Sequence, residues 1–540
     1  MRVHFRLFPL FVVLLLVAAF GGPAGAASDG FRAALATRLQ ETGSPLFSAR
    51  AAADYKALRE FYAARDHEPV WVSDKAVLPR AVALDRVLRA AAEEGLDPDD
   101  YGADATHALL SASSPPYLID LEVRLSQALL DYAADLGAGR LKPSQVDEEL
   151  FVYPQDIPPL AIWEAALANP DIATTLASFA PQHPDYDRLK GALARYRAIA
   201  EAGGWPRVAS GSALKPGMRD GRVAAIRKRL QATGELADDS APAAGETDLY
   251  DGEIVTAIRR FQSRQGLDSD GVVGEKTRAA LDTPVQARIN QIQINLERLR
   301  WMSDERGERH IIVNLADFTL QIVDRGLPVF ESRVVVGAPF HRTPVFSDRM
   351  RYLEINPYWN VPTSIARKEL LPKFRRSPAE IDKAGYEFVH SDRVVPAATV
   401  DLAARPFPYL IRQRPGDQNA LGRVKFMFPN KFNIYLHDTP SKSLFAKTER
   451  TFSHGCIRVA RPIDLAVALL ADSGDWSEAK VRAAIERGDR QVVNLRVPVP
   501  VHIVYLTAWV DDVGLVQFRN DVYGRDALLA RALLGPRATP

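Results

Sequence analysis

Cys456 is the only cysteine of the chain, and its type and surroundings point more directly to chemistry than those of any other residue. It lies in residues 453–458 (SHGCIR), where a glycine directly precedes the thiol and the neighbours are polar. This turn-like setting argues against an inert thiol packed in a core. With one cysteine, the chain cannot form an internal disulfide or a multi-cysteine metal site. The segment therefore favours a thiol that acts as a nucleophile.

Two histidines could activate this thiol, which at its free pKa of about 8.5 is mostly protonated near neutral pH. His437 ends the strand-like run 433–436, and His454 lies two positions before Cys456. We expect His437 to be the base, because alternation at the end of a strand can aim its side chain across to the next turn. On this view, replacing His437 by alanine should raise the apparent pKa of the thiol. The backbone N–H groups of Gly455 and Cys456 are the expected oxyanion donors, because glycine lets the chain turn sharply.

The residues around this motif predict a mainly-β catalytic domain with a few helices at about 309–497. β-Branched and aromatic residues recur with a period of two at 311–336 and again at 424–436, as in strands. An insertion at about 364–414 is rich in charge and begins with an apparent helix. An insertion of this size in a sheet domain is either an active-site lid or a packing accessory. Residues 498–540 are expected to form a C-terminal extension.

Two further domains are predicted upstream. Residues 31–205 carry helical stripes of apolar residues that end at glycines, and they predict an α-helical scaffold domain. Residues 212–283 carry two short helical stripes and a polar loop at 237–247, and they predict a small helical domain. The acidic run at 268–271 lacks the spacing and the terminal glutamate of an EF-hand, so calcium is not expected there.

The N-terminus and the charge balance restrict location and partners. Arg2 and Arg6, the apolar run 7–20 and the Ala-Gly-Ala triplet at 24–26 follow the order of a secretory signal peptide at 1–26. The apolar run is shorter than the roughly 20 residues that span a bilayer. Lys and Arg number 68 against 67 Asp and Glu, so there is no bulk basic field and nucleic acid is not the expected partner. With 540 residues and 47% hydrophobic residues, the chain has the composition of a multidomain globular protein.

Residues 437–440 (HDTP) and 453–459 (SHGCIRV) resemble the signature of the L,D-transpeptidase catalytic domain, including the spacing between the upstream histidine and the cysteine. Residues 355–362 (INPYWNVP) and 415–422 (PGDQNALG) are similar to stretches of the large Gram-negative members. Residues 214–277 resemble the type 1 peptidoglycan-binding domain. The order of domains is also similar and covers most of the chain. The resemblance implies a helical scaffold, a small helical peptidoglycan-binding domain and a mainly-β (α+β) catalytic domain, in the periplasm.

The resemblance implies an acyl transfer that uses no cofactor and no metal. The Cys456 thiolate would attack the carbonyl of the third residue of a tetrapeptide stem and expel the terminal D-alanine. An amine of a neighbouring stem would then take the acyl group. His437 would be base and then acid, while His454, Gly455 and Cys456 would shape the turn and the oxyanion hole.

Three more residues are candidates for substrate binding. Arg458 either fixes the motif or binds a substrate carboxylate, since an arginine fork suits both roles. Tyr358 and Trp359 could line the cleft, although aromatic residues among strands more often belong to a core.

Other functions share some of these residues. The same thioester could pass to water or to another nucleophile, which would make the protein a carboxypeptidase or a hydrolase of wall-linked protein, and the motif alone does not separate these from a transpeptidase. A non-catalytic wall-binding protein would not need the His437–Cys456 pair. A zinc site is disfavoured, because the His-Gly-Cys motif has a better explanation in acyl transfer. Peptidoglycan peptide stems are the expected partner, and a peripheral association with the cell envelope and protein partners are left open.

Overall fold

The computed structural model describes residues 27–41 and 51–535 except Ala241 and Ala243, with only the backbone of residues 51–54. The predicted signal peptide at 1–26 lies outside the described residues. The helices are α1 Asp29–Glu41, α2 Ala51–Ala64, α3 Pro79–Arg89, α4 Ala103–Ala108, α5 Pro115–Ala138, α6 Pro143–Val146, α7 Pro159–Ala168, α8 Ile172–Ala177, α9 Pro184–Glu201, α10 Val223–Ala232, α11 Gly252–Arg264, α12 Glu275–Leu281, α13 Val285–Arg300, α14 Thr363–Ile365, α15 Leu371–Arg376, α16 Ala379–Lys383, α17 Pro462–Leu470, α18 Glu478–Glu486 and α19 Arg525–Leu534. None of these helices combines the length and apolarity that a membrane-crossing segment requires.

The strands lie mainly in the C-terminal half of the chain. They are β1 Leu150–Phe151, β2 Arg309–Asn314, β3 Thr319–Asp324, β4 Leu327–Gly337, β5 Val345–Ile355, β6 Trp359–Asn360, β7 Tyr386–His390, β8 Arg393–Val395, β9 Leu410–Gln413, β10 Val424–Met427, β11 Leu436–His437, β12 Thr451–Ser453, β13 Ile457–Val459, β14 Gln491–Val504, β15 Ala508–Val510 and β16 Val516–Phe518.

The described residues form two compact units. The first comprises residues up to 92, together with 96–135 and 157–179, and the second comprises residues 93–95, 136–156 and those from 180 onward. The first unit is mainly helical. The second contains a small helical domain and a mainly-β domain, so the fold class predicted from the sequence is confirmed.

A buried carboxylate on α5 organises the first unit. Glu122 accepts the backbone N–H groups of Val70, Trp71 and Val72 at 2.5, 2.8 and 3.1 Å, and it also accepts the hydroxyl of Tyr62. These three N–H groups belong to the connection between α2 and α3, where the carboxylate satisfies backbone donors that burial would otherwise leave unpaired. Burial raises the pKa of Glu122.

The mainly-β domain is built on one large sheet in the order β1-β5-β10-β11-β13-β4-β3-β2-β14. Because β14 pairs with β2 on one side and with β5 on the other, the sheet closes on itself. β14 runs from Gln491 to Val504, across the predicted start of the C-terminal extension at 498. One face of the sheet covers a continuous apolar core, which includes Leu353, Phe426, Leu436 and Ile457.

The small helical domain contains the two predicted amphipathic helices, α10 and α11. Their apolar stripes meet in a separate core that includes Val223, Ile226, Ile258 and Phe261. Within the second unit, this domain is attached to the hairpin β15–β16 through Arg264, which lies at the end of α11.

The insertion at 364–414 contributes β7, β8 and β9 to a four-stranded sheet in the order β6-β9-β7-β8, whose fourth strand β6 lies directly before it, and it has a small apolar core. Two buried asparagines hold its two ends. The Asn356 side chain donates to the carbonyls of Ala484 and Ile485 at 3.1 and 3.0 Å. The Asn419 side chain donates to the carbonyls of Pro357 and Arg414 at 3.0 and 2.9 Å. The stretches 355–362 and 415–422 therefore lie directly before and directly after the insertion.

Candidate active site

A row of charged and titratable side chains crosses four neighbouring strands on one face of the sheet. His437 lies opposite Arg458 in the parallel pair β11–β13, and opposite Lys425 in the antiparallel pair β10–β11. Lys425 in turn lies opposite Glu354 on β5. Residues in register point to the same side of a sheet, and adjacent strands lie about 4.8 Å apart. The row therefore faces away from the apolar core, which is formed by the alternate residues of the same strands.

Cys456 directly precedes β13 and lies two residues before Arg458, so it belongs to the same side. Its Sγ lies 3.6 Å from the carbonyl oxygen of Asn433, and its thiol is half-buried. Burial raises the pKa of the Cys456 thiol, while a hydrogen bond with Tyr435 and the positive charges of Lys425 and Arg458 act in the opposite direction. Because burial dominates, the thiol is protonated near neutral pH.

His437 is held in one tautomer. Its Nδ1 lies 2.5 Å from the backbone carbonyl oxygen of Asp438. Since a carbonyl only accepts, Nδ1 carries the proton and Nε2 is the free acceptor of the neutral ring. Burial lowers the pKa of His437 to about 3, and the positive charges of Arg458 and Lys425 add to this effect. His437 is therefore an unprotonated base at neutral pH.

These two protonation states differ from one expectation from the sequence, which remains a prediction. We expected that His437 lowers the pKa of the Cys456 thiol, so that alanine at 437 would raise it. In the structure the pKa of the thiol is already raised, because burial outweighs its charged and polar neighbours. The two groups therefore form a neutral thiol and imidazole rather than an ion pair, and the proton leaves the sulfur only when the thiol attacks.

Asp438 supports the carbonyl that orients His437. Its carboxylate accepts the backbone N–H groups of Arg423 and Thr439 at 2.8 and 2.7 Å, and it also pairs with Lys442. A Cβ at Gly422 would lie 2.3 Å from the Asp438 carboxyl group, and Gly422 has φ +60°. Gly422, the second glycine of the stretch 415–422, is therefore required for the close approach of Asp438.

The turn before the thiol is fixed by hydroxyl groups. Gly455 has φ +112°, a conformation that favours glycine. Its N–H donates to Ser453 Oγ at 3.1 Å, and the Ser453 hydroxyl donates to the Cys456 carbonyl at 2.5 Å. Of the two N–H groups expected as oxyanion donors, that of Gly455 is thus engaged. The Cys456 N–H forms no hydrogen bond with the part of the chain that the structure describes.

His454 connects the turn to the insertion. Its side chain is exposed, and its Nε2 lies 2.8 Å from the carboxylate of Glu369 in the insertion. Its ring lies 5.2 Å from that of His341. A cavity of about 560 Å³ borders the turn, and it is lined by residues that include Phe340, His341, Ile434 and Gly455. No group of three or more His, Cys, Asp and Glu residues in the described ranges is arranged to hold a metal ion.

The predicted substrate-binding residues lie in two places. Arg458 lies in the row beside His437, and its Nε is buried without a hydrogen-bond partner among the described residues. Tyr358 lies at the end of the insertion, 4.5 Å below the guanidinium of Arg412. Trp359 belongs to β6 and packs against the core of the insertion, 6.4 Å from the ring of Tyr386. The structure thus places Arg458 near the thiol and the two aromatic residues beside the insertion, and their roles in binding remain predictions.

Sequence reasoning missed two residues that act on the thiol. Tyr435 hydrogen-bonds with Cys456, and Lys425 lies 4.1 Å over the ring of Tyr435. Tyr435 lies in the strand-like run 433–436, two residues before His437, so alternation in the sequence could have placed both side chains on one side. The sequence carries no comparable signal for Lys425, because its position depends on the register of β10 against β11.

Three parts of the chain match known protein families. Residues 56–193 match the family described as "Scaffold domain". Residues 219–281 match a "Putative peptidoglycan binding domain". Residues 308–493 match the "L,D-transpeptidase catalytic domain".

A curated relative and solved structures carry related descriptions. A "Putative L,D-transpeptidase" from Haemophilus influenzae is 35% identical over 250 residues, which are 46% of this chain and 50% of that protein, so this chain spans half of its length. The L,D-transpeptidase from Xylanimonas cellulosilytica (residues 123–326) is 15% identical, with a TM-score of 0.20 over 55% of this chain and 99% of that one. The L,D-transpeptidase from Stackebrandtia nassauensis is 15% identical, with a TM-score of 0.21 over 55% and 96%.

The family matches agree with the resemblance found in the sequence. They cover the region that contains His437 and Cys456, and two regions before it. Residues 308–493 are thus similar to L,D-transpeptidase catalytic domains, and the chain also carries regions that match a scaffold domain and a peptidoglycan-binding domain.

Proposed function

We propose that this protein is a cysteine-dependent L,D-transpeptidase that cross-links peptidoglycan peptide stems. One observation carries the proposal: a neutral His437, with its Nδ1 proton bound to a backbone carbonyl, lies on the same sheet face as the Cys456 thiol. A general base needs a free acceptor nitrogen and a pKa that keeps it unprotonated at the working pH. The catalytic domain and the peptidoglycan-binding domain both support a wall peptide as substrate.

The proposed reaction has two halves. Nε2 of His437 takes the thiol proton as Sγ of Cys456 attacks the carbonyl carbon of the third stem residue. The bond to the terminal D-alanine breaks, and its amine leaves with the proton from His437, which gives a thioester on Cys456. An amine of a second stem then attacks the thioester and gives up its proton through His437. A new amide joins the two stems, and the thiol is restored.

The side chains around the thiol have separate tasks in this scheme. The Cys456 N–H would donate to the oxyanion that develops on the attacked carbonyl. Lys425 and Arg458 are positive and favour the developing thiolate. The unpartnered Nε of Arg458 suits a carboxylate of the stem better than a purely structural role.

Location and partners follow as part of the same proposal. Peptidoglycan stems lie outside the cytoplasm, so a periplasmic protein exported by the signal peptide at 1–26 would meet its substrate. The alternative activity, in which water takes the acyl group, would use the same thioester. It would make the protein a carboxypeptidase. The two activities differ only in whether a stem amine or water accepts the acyl group.

The test compares the wild type with Cys456→Ser on a disaccharide-tetrapeptide from peptidoglycan, with products identified by mass spectrometry. We expect the wild type to release D-alanine and to form dimers joined between third-position residues. Cys456→Ser should remain folded but lose at least about 10³-fold in activity, because the hydroxyl is a weaker nucleophile beside the same base. Release of D-alanine with tripeptides and without dimers would favour the carboxypeptidase. Dimers at wild-type rate from Cys456→Ser would exclude the cysteine mechanism.

A further inference from the structure

The turn before the thiol is held by a residue from a different part of the sheet. Thr343 lies in the loop between β4 and β5 and is fully buried. Its hydroxyl donates to the carbonyl of Gly455 at 2.8 Å and accepts the N–H of Gly337 at 3.0 Å. This bond joins Thr343 to the peptide group that connects Gly455 to Cys456.

That peptide group carries the N–H proposed as the oxyanion donor. In a planar trans peptide the C=O and the following N–H point in opposite directions. Holding the carbonyl of Gly455 therefore fixes the direction of the Cys456 N–H. Glycine imposes little resistance to rotation of the adjacent peptide group. A bond from outside the turn is thus needed to keep this donor in one orientation.

Thr343 is itself held by the C-terminal segment of the chain, beyond the matched catalytic domain at 308–493. Arg525, the first residue of α19, is completely buried and donates through Nη2 to the Thr343 carbonyl at 3.3 Å. The Tyr523 hydroxyl accepts the Thr343 N–H at 3.4 Å and donates to the Gly337 carbonyl at 2.7 Å. The backbone on both sides of the Thr343 side chain is thus fixed by α19 and the residues before it.

The segment that contains β1 completes this arrangement. Nε of Arg525 pairs with Asp147 at 3.1 Å, and its Nη2 pairs with Glu149 at 3.0 Å. Nε of Arg342, the residue before Thr343, also pairs with Glu149, at 2.8 Å. Arg525 is therefore a bridge between two acidic residues and the loop of Thr343, and a buried bridge of this kind has one favourable geometry.

We propose that Thr343 and Arg525 are positioning residues, which aim the Cys456 N–H at the oxyanion through the carbonyl of Gly455. The inference rests on the proposed function for its kinetic consequence, while the orientation of the N–H is a property of the free protein. The C-terminal extension is on this view part of the catalytic apparatus.

The kinetic test uses Thr343→Val, which keeps the shape and removes the hydroxyl, and Thr343→Ser, which restores it. Loss of one oxyanion donor costs about 10²–10³-fold in kcat, and a misaimed donor should cost about 10- to 100-fold. We expect Thr343→Val to lower kcat on the disaccharide-tetrapeptide by that amount with KM unchanged, and Thr343→Ser to recover most of it. Alkylation of Cys456 by iodoacetamide needs no oxyanion hole and should keep its wild-type rate. Arg525→Lys should act in the same direction as Thr343→Val, while Arg531→Ala, on the exposed side of α19, is the matched control.

A second measurement is independent of activity. Because the chain contains one cysteine, labelling with [¹⁵N]cysteine gives a single amide signal, that of the Cys456 N–H. We expect Thr343→Val to shift and broaden this signal, and Thr343→Ser to keep it near the wild-type position.

The outcomes separate this inference from the proposed function. An unchanged Cys456 signal in Thr343→Val, or an unchanged kcat beside an active wild type, would overturn the inference. Equal loss of alkylation, thermal stability and kcat, without recovery in Thr343→Ser, would also overturn it, because that pattern means a structural role only. A wild type that forms no thioester with the stem would overturn the proposed function, and a shifted signal in Thr343→Val would then still support the orientation of the N–H.

Discussion

The proton on the Cys456 thiol is subject to opposing influences from its neighbours. Tyr435, Lys425 and Arg458 all favour the thiolate, yet burial has the larger effect and raises the pKa of the thiol. For His437, burial and the two cations act in the same direction. They lower the pKa of the ring and keep it neutral. The Cys456 thiol and the His437 ring are thus both uncharged before substrate binds. The ring can therefore accept the thiol proton during attack.

This arrangement predicts how alkylation of Cys456 depends on pH. Iodoacetamide labelling should rise with pH and reach its midpoint above the ordinary thiol pKa of about 8.5, because the folded thiol loses its proton less readily. His437→Ala should leave this midpoint unchanged, since the neutral ring contributes no charge to the thiol. The same substitution should lower kcat for acyl transfer by about 10²–10⁴-fold, because it removes the base. The labelling rate is followed by intact mass at each pH.

His454→Ala is the matched control for this experiment, because its ring is exposed and bonds to Glu369 rather than to the thiol. It should also leave the labelling midpoint unchanged. Fast labelling at pH 6 in the wild type that disappears in His437→Ala would instead mean a thiolate–imidazolium pair, and the neutral pair would be wrong.

At the scale of elements, the alternation of side chains along a strand predicts part of the site from the sequence. The rest depends on which residues of neighbouring strands are paired, and the sequence does not show this. The strand-like run that ends at His437 predicts which side chains share a face with it, and the glycine before Cys456 predicts a turn. The position of Lys425 could not be predicted, because a shift of one residue in the pairing of β10 with β11 would move it to the other face. The contact of Thr343 with Gly455 joins residues 112 positions apart, and no local pattern carries that information. For Tyr358 and Trp359 the sequence left open a place in the cleft or in a core, and the structure places Trp359 against the core of the insertion.

The connection between α2 and α3 provides a test of the first unit. In Glu122→Gln, one carboxylate oxygen becomes an amide nitrogen that cannot accept, so at least one of the N–H groups of Val70, Trp71 and Val72 loses its partner. An unsatisfied buried donor costs about 1–3 kcal/mol, and the free energy of unfolding from urea titration should fall by that amount. Hydrogen exchange at residues 70–72 should become faster.

Glu60→Gln on α2 is the control, because Glu60 is exposed and forms a surface pair with Lys56 at 3.7 Å. Its free energy of unfolding should stay within about 0.5 kcal/mol of the wild type. Equal values for Glu122→Gln and Glu60→Gln would contradict the role assigned to the buried carboxylate.

At the scale of the whole molecule, a buried arginine that is ion-paired inside the small helical domain also joins this domain to the hairpin β15–β16 within the second unit. Arg264 pairs with Glu235 at 2.5 Å, and its Nε donates to the carbonyl of Val516 on β16 at 2.9 Å. Arg519, in the C-terminal segment, donates a hydrogen bond through Nη1 to the Arg264 carbonyl at 3.0 Å. These contacts connect the helices of one domain to a hairpin that follows the catalytic sheet.

The ion pair predicts a difference between single and double substitutions. Arg264→Met should lower the free energy of unfolding by about 3–5 kcal/mol, because it leaves the carboxylate of Glu235 buried without a counter-charge. Arg264→Met with Glu235→Leu should recover most of this loss, since no buried charge remains. Both are measured by urea unfolding.

Arg219→Met, which breaks the exposed pair with Asp248, is the control and should cost less than about 1 kcal/mol. If the double variant is as unstable as Arg264→Met alone, the loss comes from the bond to Val516 and not from the unpaired carboxylate of Glu235.

The closure of the sheet by β14 also restricts when the catalytic domain can complete its fold during synthesis. β2 begins at Arg309 and its partner β14 ends at Val504, so the ribosome must make nearly the whole catalytic domain before the two strands can meet. Arg525, which fixes the loop of Thr343, is synthesised later still. Cys456 is therefore present in the growing chain before β14 and Arg525, and its environment cannot be complete until these residues have been made.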